Sequence, residues 1–326
     1  MKVLVTGGAG YIGSVVVEQL LHYGHDAVVY DNLSRGHRDA VVAPARFVLG
    51  DLAERDKLGR TLIENQIEAV IHMAASSLVG ESVTDPHAYY QNNVVNGVTL
   101  LDAMLGAGVK RLVYSSTCAV YGLPAKIPIT EATPTNPINP YGEAKLAFER
   151  ALRWYGGAYG LHYASLRYFN AAGATERCGE DHTPESHIIP LVLRVAAGQA
   201  DHVRIFGEDY PTPDKTCIRD YIHVIDLAEA HILALTAIEK ESCILNLGYG
   251  NGYSVAEVVE MARQVTGVNI QTESAERRPG DPPVLIASAD QAHLTLGWHP
   301  RHSELDNIIA SAWRWHQAHP NGYERK

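Results

Sequence analysis

The chain has 326 residues, about twice the ~150 residues of a typical domain, so we expect one large domain or two that share an interface. Apolar residues make up 46% of the sequence and charged residues 20%, which excludes a disordered chain, a collagen and a coiled coil. The formal net charge of −10 repels phosphate backbones and anionic surfaces, so neither a nucleic acid nor a membrane is expected as a partner.

Cysteine usage and hydropathy predict a protein with reduced thiols that does not cross a membrane. The four cysteines include no Cys-x-x-Cys pair, and a chain of this size builds its core without disulfides. No run of about 18 apolar residues occurs in the sequence. Residues 1–2 lead directly into the apolar residues 3–6, without the apolar segment of a secretory leader. We therefore expect a cytoplasmic protein.

The first half of the chain alternates short apolar runs with helical patterns. Continuous apolar runs are typical of parallel strands that are covered on both faces. Helical spacing occurs between these runs, first at Ile12, Val16 and Leu20, and then at Leu58 and Leu62. Right-handed crossovers wind such units into a doubly wound α/β layer. The predicted strands are 3–6, 27–30, 47–49, 69–73 and 112–115.

The character of the chain changes after Asn170. Residues 171–220 are rich in Gly, Pro, Thr and charged residues, and no Gly/Ser linker separates two independent bodies. We expect a first domain at 1–170 and a second at 171–326, with some later segments returning to the first. Helical patterns return near 188–198, 225–239, 254–266 and 305–317.

A glycine cluster follows the first predicted strand and opens a helix. Gly7, Gly10 and Gly13 allow a tight turn, close approach of a pyrophosphate and packing of helix on sheet. Asp31 ends the second predicted strand about 20 residues further on, where a carboxylate binds adenosine ribose hydroxyls and disfavours NADP. Asp51 is expected either at the adenine amino group or as the cap of the next helix. The combination predicts NAD binding, although a glycine cluster alone also suits an ordinary turn.

A tyrosine and a lysine lie four residues apart at a predicted helix start. Tyr141 and Lys145 follow Pro140 and share one helix face. A phenol has an ordinary pKa of about 10, which a neighbouring Lys⁺ and the cationic ring of NAD⁺ lower. Tyr141 then accepts a proton from an alcohol as its hydride leaves. Thr117, at the carboxyl end of the fifth apolar run, is placed to hydrogen-bond the reacting oxygen, although a hydroxyl there also suits a turn.

Longer stretches of the sequence carry a resemblance to a known family. They include Val-Thr-Gly-Gly-Ala-Gly-Tyr-Ile-Gly-Ser at 5–14, Arg-Tyr-Phe-Asn at 167–170, Arg-Asp-Tyr-Ile-His-Val at 219–224 and Arg-Arg-Pro-Gly-Asp at 277–281. On these stretches the chain resembles the extended short-chain dehydrogenases/reductases over nearly its whole length, and within them the enzymes that epimerise UDP-sugars at carbon 4. The resemblance implies a doubly wound (Rossmann) α/β parallel sheet with a smaller α/β substrate-binding C-terminal domain.

The same resemblance implies the residues of the site. The two arginines would clamp a diphosphate with their guanidinium forks, and the aspartate would accept from a uridine ribose hydroxyl. No metal is expected, because the histidines lack a spacing such as His-Glu-x-x-His. The catalytic residues are Tyr141, Lys145 and Thr117. NAD is held by Gly7, Gly10, Tyr11, Ile12, Gly13, Asp31, Asn32, Asp51, Leu52, Ala74, Asn92, Tyr141, Lys145 and Phe169, and the nucleotide sugar by Thr117, Tyr141, Asn170, Arg219, Arg278, Asp281 and Leu285.

The implied activity interconverts UDP-glucose and UDP-galactose through a 4-keto intermediate. One alternative is a 4-epimerase of another UDP-sugar (an N-acetylhexosamine, a pentose or a uronate). A second is a nucleotide-sugar 4,6-dehydratase, but residues 116–119 lack the adjacent Asp-Glu pair that this chemistry needs. A third is a non-catalytic NAD(H)-binding regulator. The helices near 88–105 and 141–156 are expected either to pair two copies into a homodimer or simply to pack on the sheet.

The chain departs from the family pattern at four positions. Ser77 stands where a lysine is frequent, Thr117 where a serine is frequent, and His187 where an asparagine is frequent. Leu285 stands at a variable position of the pocket wall. Because Leu is smaller than Tyr, we expect the site to admit UDP-N-acetylglucosamine to some extent.

Overall fold

The computed structural model describes residues 1–278 and 280–323, so Pro279 of the 277–281 motif lies outside the described residues. The strands are β1 (Lys2–Thr6), β2 (Asp26–Asp31), β3 (Arg46–Leu49), β4 (Ala69–His72), β5 (Arg111–Thr117), β6 (His162–Tyr168), β7 (Asn170–Ala172), β8 (Val203–Phe206), β9 (Ile218–His223), β10 (Cys243–Leu247), β11 (Gly252–Ser254), β12 (Thr272–Ala275) and β13 (Val284–Leu285). The α-helices are α1 (Tyr11–His22), α2 (Arg55–Glu64), α3 (Val79–Thr84), α4 (Pro86–Tyr90), α5 (Asn96–Gly106), α6 (Pro140–Tyr159), α7 (Ile188–Ala196), α8 (Val224–Ala237), α9 (Val255–Thr266), α10 (Asp290–Leu296) and α11 (Leu305–Ala318).

Seven strands form one parallel sheet in the order β10-β6-β5-β4-β1-β2-β3. In its centre Val3 lies opposite Ala27 on one neighbour and Ala69 on the other. The five predicted strands are all present, and the doubly wound α/β class is confirmed. The sequence analysis did not predict β6 and β10. Strand β10 comes from the C-terminal half of the chain and extends the sheet beyond β6.

Both faces of this sheet are covered by helices. Along β1, Val3 and Val5 enter an apolar cluster with α1 and α8, which contributes Leu227. Leu4, between them, enters a second cluster with α2, α5 and α6, which contributes Leu152. Alternate side chains of a strand point to opposite faces. A strand buried on both faces therefore needs apolar residues at every position, which explains the continuous runs.

The C-terminal half forms a smaller α/β body beside the sheet. Strand β9 pairs with β11, β13 and β7, and β8 pairs with β12. Helices α7, α9 and α11 pack together through Val192, Val258 and Ile308. With α8, these helices match the four helical patterns predicted after residue 170. Within the described ranges, we find no helix with the length and apolar character needed to cross a membrane.

Candidate active site

The glycine loop lies at the carboxyl edge of the parallel sheet, between β1 and α1. Gly7 has a φ of +72°, and a Cβ there would lie 2.5 Å from the backbone nitrogen of Ala74. A Cβ on Gly13 would lie 2.1 Å from the carbonyl oxygen of Gly7. Larger residues would therefore push the loop away from both α1 and the end of β4. Gly10 is less crowded and forms the N-cap of α1, where it leaves amides free for an anion.

Three predicted nucleotide contacts converge at the ends of β2 and β3. The Asp31 carboxylate accepts hydrogen bonds from the amides of Ala9 (3.0 Å) and Leu33 (2.8 Å). Burial raises the pKa of Asp31, and these two amide bonds lower it. Asn32 donates to Asp51 at 2.7 Å. Each carboxylate oxygen of Asp31 keeps a lone pair for a further donor, so the geometry fits a diol such as a ribose.

Asp51 does not cap the next helix. Its carboxylate accepts from the amide of Ala53 at 2.8 Å, before α2 begins at Arg55. The pairing with Asn32 instead turns it toward the end of β2.

The other predicted cofactor contacts come from several elements of the chain. Tyr11 is buried and donates from its hydroxyl to the carbonyl of Gly173 at 2.6 Å. Asn92 lies in a π-helical turn, Gln91–Val95, and donates to the Ser76 hydroxyl at 3.3 Å, just beyond β4. π-Turns within helices are frequent at functional sites, because the extra residue redirects a side chain. Of the remaining predicted contacts, Leu52 and Phe169 are buried, and Ile12 and Ala74 are half-buried.

Helix α6 presents the predicted catalytic pair at its first turns. Asn139 caps the helix by accepting from the Gly142 amide at 2.8 Å. The Lys145 ammonium donates to the carbonyl of Ser115 on β5 at 2.7 Å and lies 5.9 Å from the centre of the Tyr141 ring. A hydrogen bond joins the Thr117 and Tyr141 side chains. The fold therefore brings Thr117, Tyr141 and Lys145 together at the end of β5.

Burial dominates the ionisation of this pair. It raises the pKa of Tyr141, Tyr168 raises it further, and the hydrogen bond with Thr117 lowers it. Burial lowers the pKa of Lys145 to about 7, although Glu149 raises it. The sequence predicts that Lys145 and the positive charge of NAD⁺ together lower the pKa of Tyr141. The protein alone acts in the opposite direction, because desolvation is the largest contribution.

Sequence reasoning missed a buried acid on the same face of α6. Glu149 follows Lys145 by four residues, as Lys145 follows Tyr141. Its carboxylate accepts from Ser116 at 2.5 Å and from two nitrogens of Arg167 at 3.0 and 2.5 Å. This network ties α6 to β5 and β6 beneath the catalytic pair. The repeated spacing of four residues was the signal that could have revealed it.

Apart from Thr117 and Tyr141, the predicted substrate residues are held by the smaller body. Arg219 on β9 donates to Asp281 at 2.5 Å and to the carbonyl of Ile218 at 2.7 Å. Leu285 on β13 lies opposite Arg219 in the parallel register. Arg219 and Asp281 therefore form an ion pair with each other, whereas the sequence analysis gave them separate ligand groups.

Two aromatic rings extend this region, and sequence reasoning did not identify either as a site residue. The Arg278 guanidinium lies 4.3 Å from the centre of the Phe206 ring. The Tyr210 hydroxyl donates to Asp281 at 3.4 Å. Asn170 lies opposite Tyr221 of β9 at the start of β7. Cation–π stacking leaves the N–H groups at the edge of the Arg278 guanidinium available for further acceptors.

Two of the residues that depart from the family pattern, Ser77 and His187, lie in different surroundings. Ser77 is exposed, in the loop between β4 and α3. His187 precedes α7 and is paired with Glu180 at 2.7 Å and with Glu185 at 3.1 Å.

These features agree with the comparisons to known proteins. The chain belongs to the NAD dependent epimerase/dehydratase family, which it matches over residues 3–248. It is 54% identical to the UDP-glucose 4-epimerase of Halalkalibacterium halodurans over 327 aligned positions, which cover 99% of this chain and 98% of that protein. The family resemblance seen in the sequence is thus confirmed, and NAD is the cofactor of the family.

Solved structures give the same result. The crystal structure of a UDP-glucose 4-epimerase superposes with a TM-score of 0.97 at 50% identity and covers 100% of both chains. The UDP-glucose-4-epimerase of Stenotrophomonas maltophila, with bound NAD and formylated UDP-arabinopyranose, superposes with a TM-score of 0.95 at 40% identity, covering 98% of this chain and 99% of that one.

Proposed function

We propose that the chain is an NAD-dependent UDP-glucose 4-epimerase, which interconverts UDP-glucose and UDP-galactose. The observation that carries the proposal is the buried group of Thr117, Tyr141 and Lys145 at the edge of the sheet that also holds the glycine loop. The relatives with this name match over nearly their full length. A phenol and an amine beside a dinucleotide loop suit the oxidation and reduction of an alcohol.

The protein's own part in the reaction is proton transfer and orientation. Bound NAD supplies the chemistry of accepting the hydride from C4 of the sugar and returning it. Tyr141 removes the proton of the 4-hydroxyl and later returns it, while Thr117 holds the oxygen through a hydrogen bond. Lys145, with a pKa of about 7, exchanges protons readily near neutral pH and is fixed by the Ser115 carbonyl. The 4-keto sugar, held through its nucleotide, would be free to rotate and present its opposite face before Tyr141 returns the proton.

Rotation requires that the sugar be held loosely and the nucleotide firmly. We assign Arg219 and Arg278 to the diphosphate and Asp281 to the uridine ribose, with Asn170 and Leu285 nearer the sugar. Arg219 is only 8% exposed, and Asp281 raises its pKa, so its charge is permanent. Binding energy concentrated far from the reacting carbon permits an epimerase to release and recapture its intermediate. A 4,6-dehydratase needs further acids beside the hydroxyl, where this chain has Cys118.

We also propose the domain division 1–170 and 171–326, with residues 224–247 returning to the first domain. Helix α8 packs against α1, and β10 extends the large sheet, which supports that return.

The homodimer likewise remains a proposal. Leu101, Phe148 and Leu152 of the expected seam are buried within the chain, whereas Val95 and Trp154 expose 51% and 74% of their surface. A seam therefore has to use these exposed side chains, and light scattering on the purified chain measures the assembly.

The proposed reaction is tested with purified protein and no added cofactor. Denaturation should release NAD, and the native protein should convert UDP-galactose to UDP-glucose. The UDP-glucose is measured after the protein has been heat-inactivated, with UDP-glucose dehydrogenase and NAD⁺ added only at that stage. Release of NADP alone, or folded NAD-bound protein with no turnover of either UDP-hexose, would contradict the assignment. If NAD is present but turnover occurs only with a UDP-pentose or UDP-uronate, the chain is a 4-epimerase whose substrate is not a UDP-hexose.

A further inference from the structure

A cluster of two histidines and two glutamates lies outside the proposed catalytic machinery, in the loop between β7 and α7. Its members are Glu180, His182, Glu185 and His187, whose ligand atoms all lie within 4.8 Å of one another. Glu180, His182 and Glu185 line a cavity of about 510 Å³ between this loop and the C-terminal end of α11. The epimerase chemistry proposed above makes no use of these four side chains.

The distances between donors are those of a small coordination polyhedron. The Nδ1 atom of His187 lies 2.7 Å from Glu180 Oε1 and 3.1 Å from Glu185 Oε1. The Nδ1 atom of His182 lies 3.2 Å from Glu180 Oε1 and 3.8 Å from Glu185 Oε2. In a tetrahedral zinc site with bonds of about 2.0–2.1 Å, neighbouring ligand atoms are roughly 3.3 Å apart. With Glu185 Oε2 as the free oxygen, the distances of 2.7, 3.2 and 3.8 Å among these ligand atoms bracket that value.

A second observation points to a missing partner. The Glu185 side chain has no exposed surface, and its Oε2 atom has no hydrogen-bond partner in the structure. Its Oε1 atom accepts from the amides of Ser186 and His187 at 2.7 and 2.8 Å, so the carboxylate cannot turn to satisfy the other oxygen. A buried carboxylate oxygen without a partner is costly, and a bound cation removes that cost.

We propose that Glu180, His182, Glu185 and His187 form a structural Zn²⁺ site. Two neutral imidazoles and two carboxylates provide four ligands of the types that zinc prefers, and their two negative charges match the ion. All four positions come from protein, which is typical of a structural and not a catalytic zinc. The His182 side chain lines the cavity and is 27% exposed, so an ion can enter from there.

A zinc ion at this site would hold the loop against the start of α1 and the segment that contains His37. The ring of His182 packs edge-on to the ring of Tyr11 in the glycine loop, with centres 6.1 Å apart. The carbonyl of Asp181, between two of the ligands, lies 3.0 Å from Nε2 of His37. A zinc ion that fixes residues 180–187 therefore also stabilises the surroundings of α1. The expectation of no metal rested on spacing along one helix, and this site is built on a loop.

The test uses the full chain with its NAD. The protein is treated with a chelator, reloaded with ZnCl₂ and passed through gel filtration in a weak competing chelator, and zinc is measured by mass spectrometry. We expect about one zinc per chain and a rise of a few degrees in the Tm on loading. Co²⁺ in place of zinc should give the intense visible bands of a tetrahedral site.

Two variants and one control isolate the cluster. His187→Gln and Glu185→Gln should each weaken zinc binding by about 100-fold or more, since loss of even an outer-shell partner costs about 10–100-fold. His202→Gln is the matched control, because His202 also pairs with a glutamate (Glu273, 2.7 Å) but at an exposed position outside the cluster. It should bind zinc as the parent does.

Failure of the proposal is equally visible. If the parent retains no zinc, or if both variants load as fully as His202→Gln, the cluster is an ion network of protonated histidines and carboxylates. Should His187→Gln fail to fold, the Co²⁺ spectrum of the parent and the loading of Glu185→Gln decide the question. Neither readout depends on epimerase turnover, so this test and that of the proposed function fail separately.

Discussion

The carboxyl edge of the large sheet and the strands around β9 hold their site residues in different ways. At the sheet edge, Tyr141 and Lys145 lie on one helix, and Lys145 binds the adjacent strand through the Ser115 carbonyl. Around β9, Arg219 is aligned with Leu285 and paired with Asp281, each more than 60 positions away in the chain. The first region is built from one helix and the strand beside it, and the second from segments that are distant in the chain.

This difference suits an epimerase that must hold a reacting group firmly and its sugar loosely. Lys145 and Glu149 are almost completely buried, whereas the side chain of Asp281 is 26% exposed. Strand β13 is short, with two residues. We therefore expect substitutions at the sheet edge to affect chemistry and stability strongly, and those around β13 to change substrate preference mildly.

The largest effect is expected at Tyr141. The Tyr141→Phe variant loses the proton acceptor but little packing, so kcat should fall by about 10²–10⁴-fold with NAD retained. The kcat and the NAD content after denaturation are measured together. Near-normal turnover in a folded, NAD-containing variant would mean that another group takes the proton.

The next effect concerns the network beneath the catalytic pair. Glu149→Gln leaves the Arg167 charge buried without its partner, which typically costs about 3–5 kcal/mol; the two side chains are 3% and 6% exposed. Urea unfolding measures the loss. Glu143→Gln, on the same helix, is the control: its pair with Arg150 is exposed, so a change of about 0–1 kcal/mol is expected. Equal losses in the two variants would show that the buried network does not stabilise α6.

The unequal success of sequence reasoning follows from the same contrast. The glycine loop, Asp31 and the Tyr141–Lys145 pair are local patterns whose geometry is set by one strand and one helix, so spacing alone places them. Strand β10 and the Arg219–Asp281 pair depend on contacts between distant segments, which spacing cannot reveal. The four zinc ligands proposed above lie within residues 180–187, and their side chains converge because of the loop conformation. Neither a helical nor a strand period predicts that conformation.

A pH-dependent effect is expected at Lys145. Its pKa is about 7 in the folded chain and about 10.4 when unfolded, so between these values the unfolded chain binds the extra proton. Unfolding free energy should therefore rise with pH from about 7 toward 10, and this contribution should vanish in Lys145→Met. Urea unfolding at pH 7, 8 and 9, with equal NAD content, measures the slope. Lys126 is exposed, so Lys126→Met should keep the slope of the parent. An unchanged slope in Lys145→Met would show that Lys145 does not cause the pH dependence.

The smallest effect is expected at Leu285, where only the balance between substrates should change. Leu285 is half-buried and packs against the cluster that contains Tyr121 and Phe169, on a strand aligned with Arg219. We propose that it borders the C2 substituent of the sugar, so the parent should act on UDP-N-acetylglucosamine as well as UDP-glucose. Leu285→Tyr adds bulk worth about 1–3 kcal/mol of overlap, which should lower kcat/KM for the N-acetyl sugar about 5–150-fold and spare UDP-glucose. Leu285→Met, similar in volume, should leave the ratio of the two kcat/KM values near that of the parent. An unchanged ratio in Leu285→Tyr would show that Leu285 does not set the substrate preference. Complete rejection of the N-acetyl sugar by the parent would mean that other residues of the pocket exclude the C2 substituent.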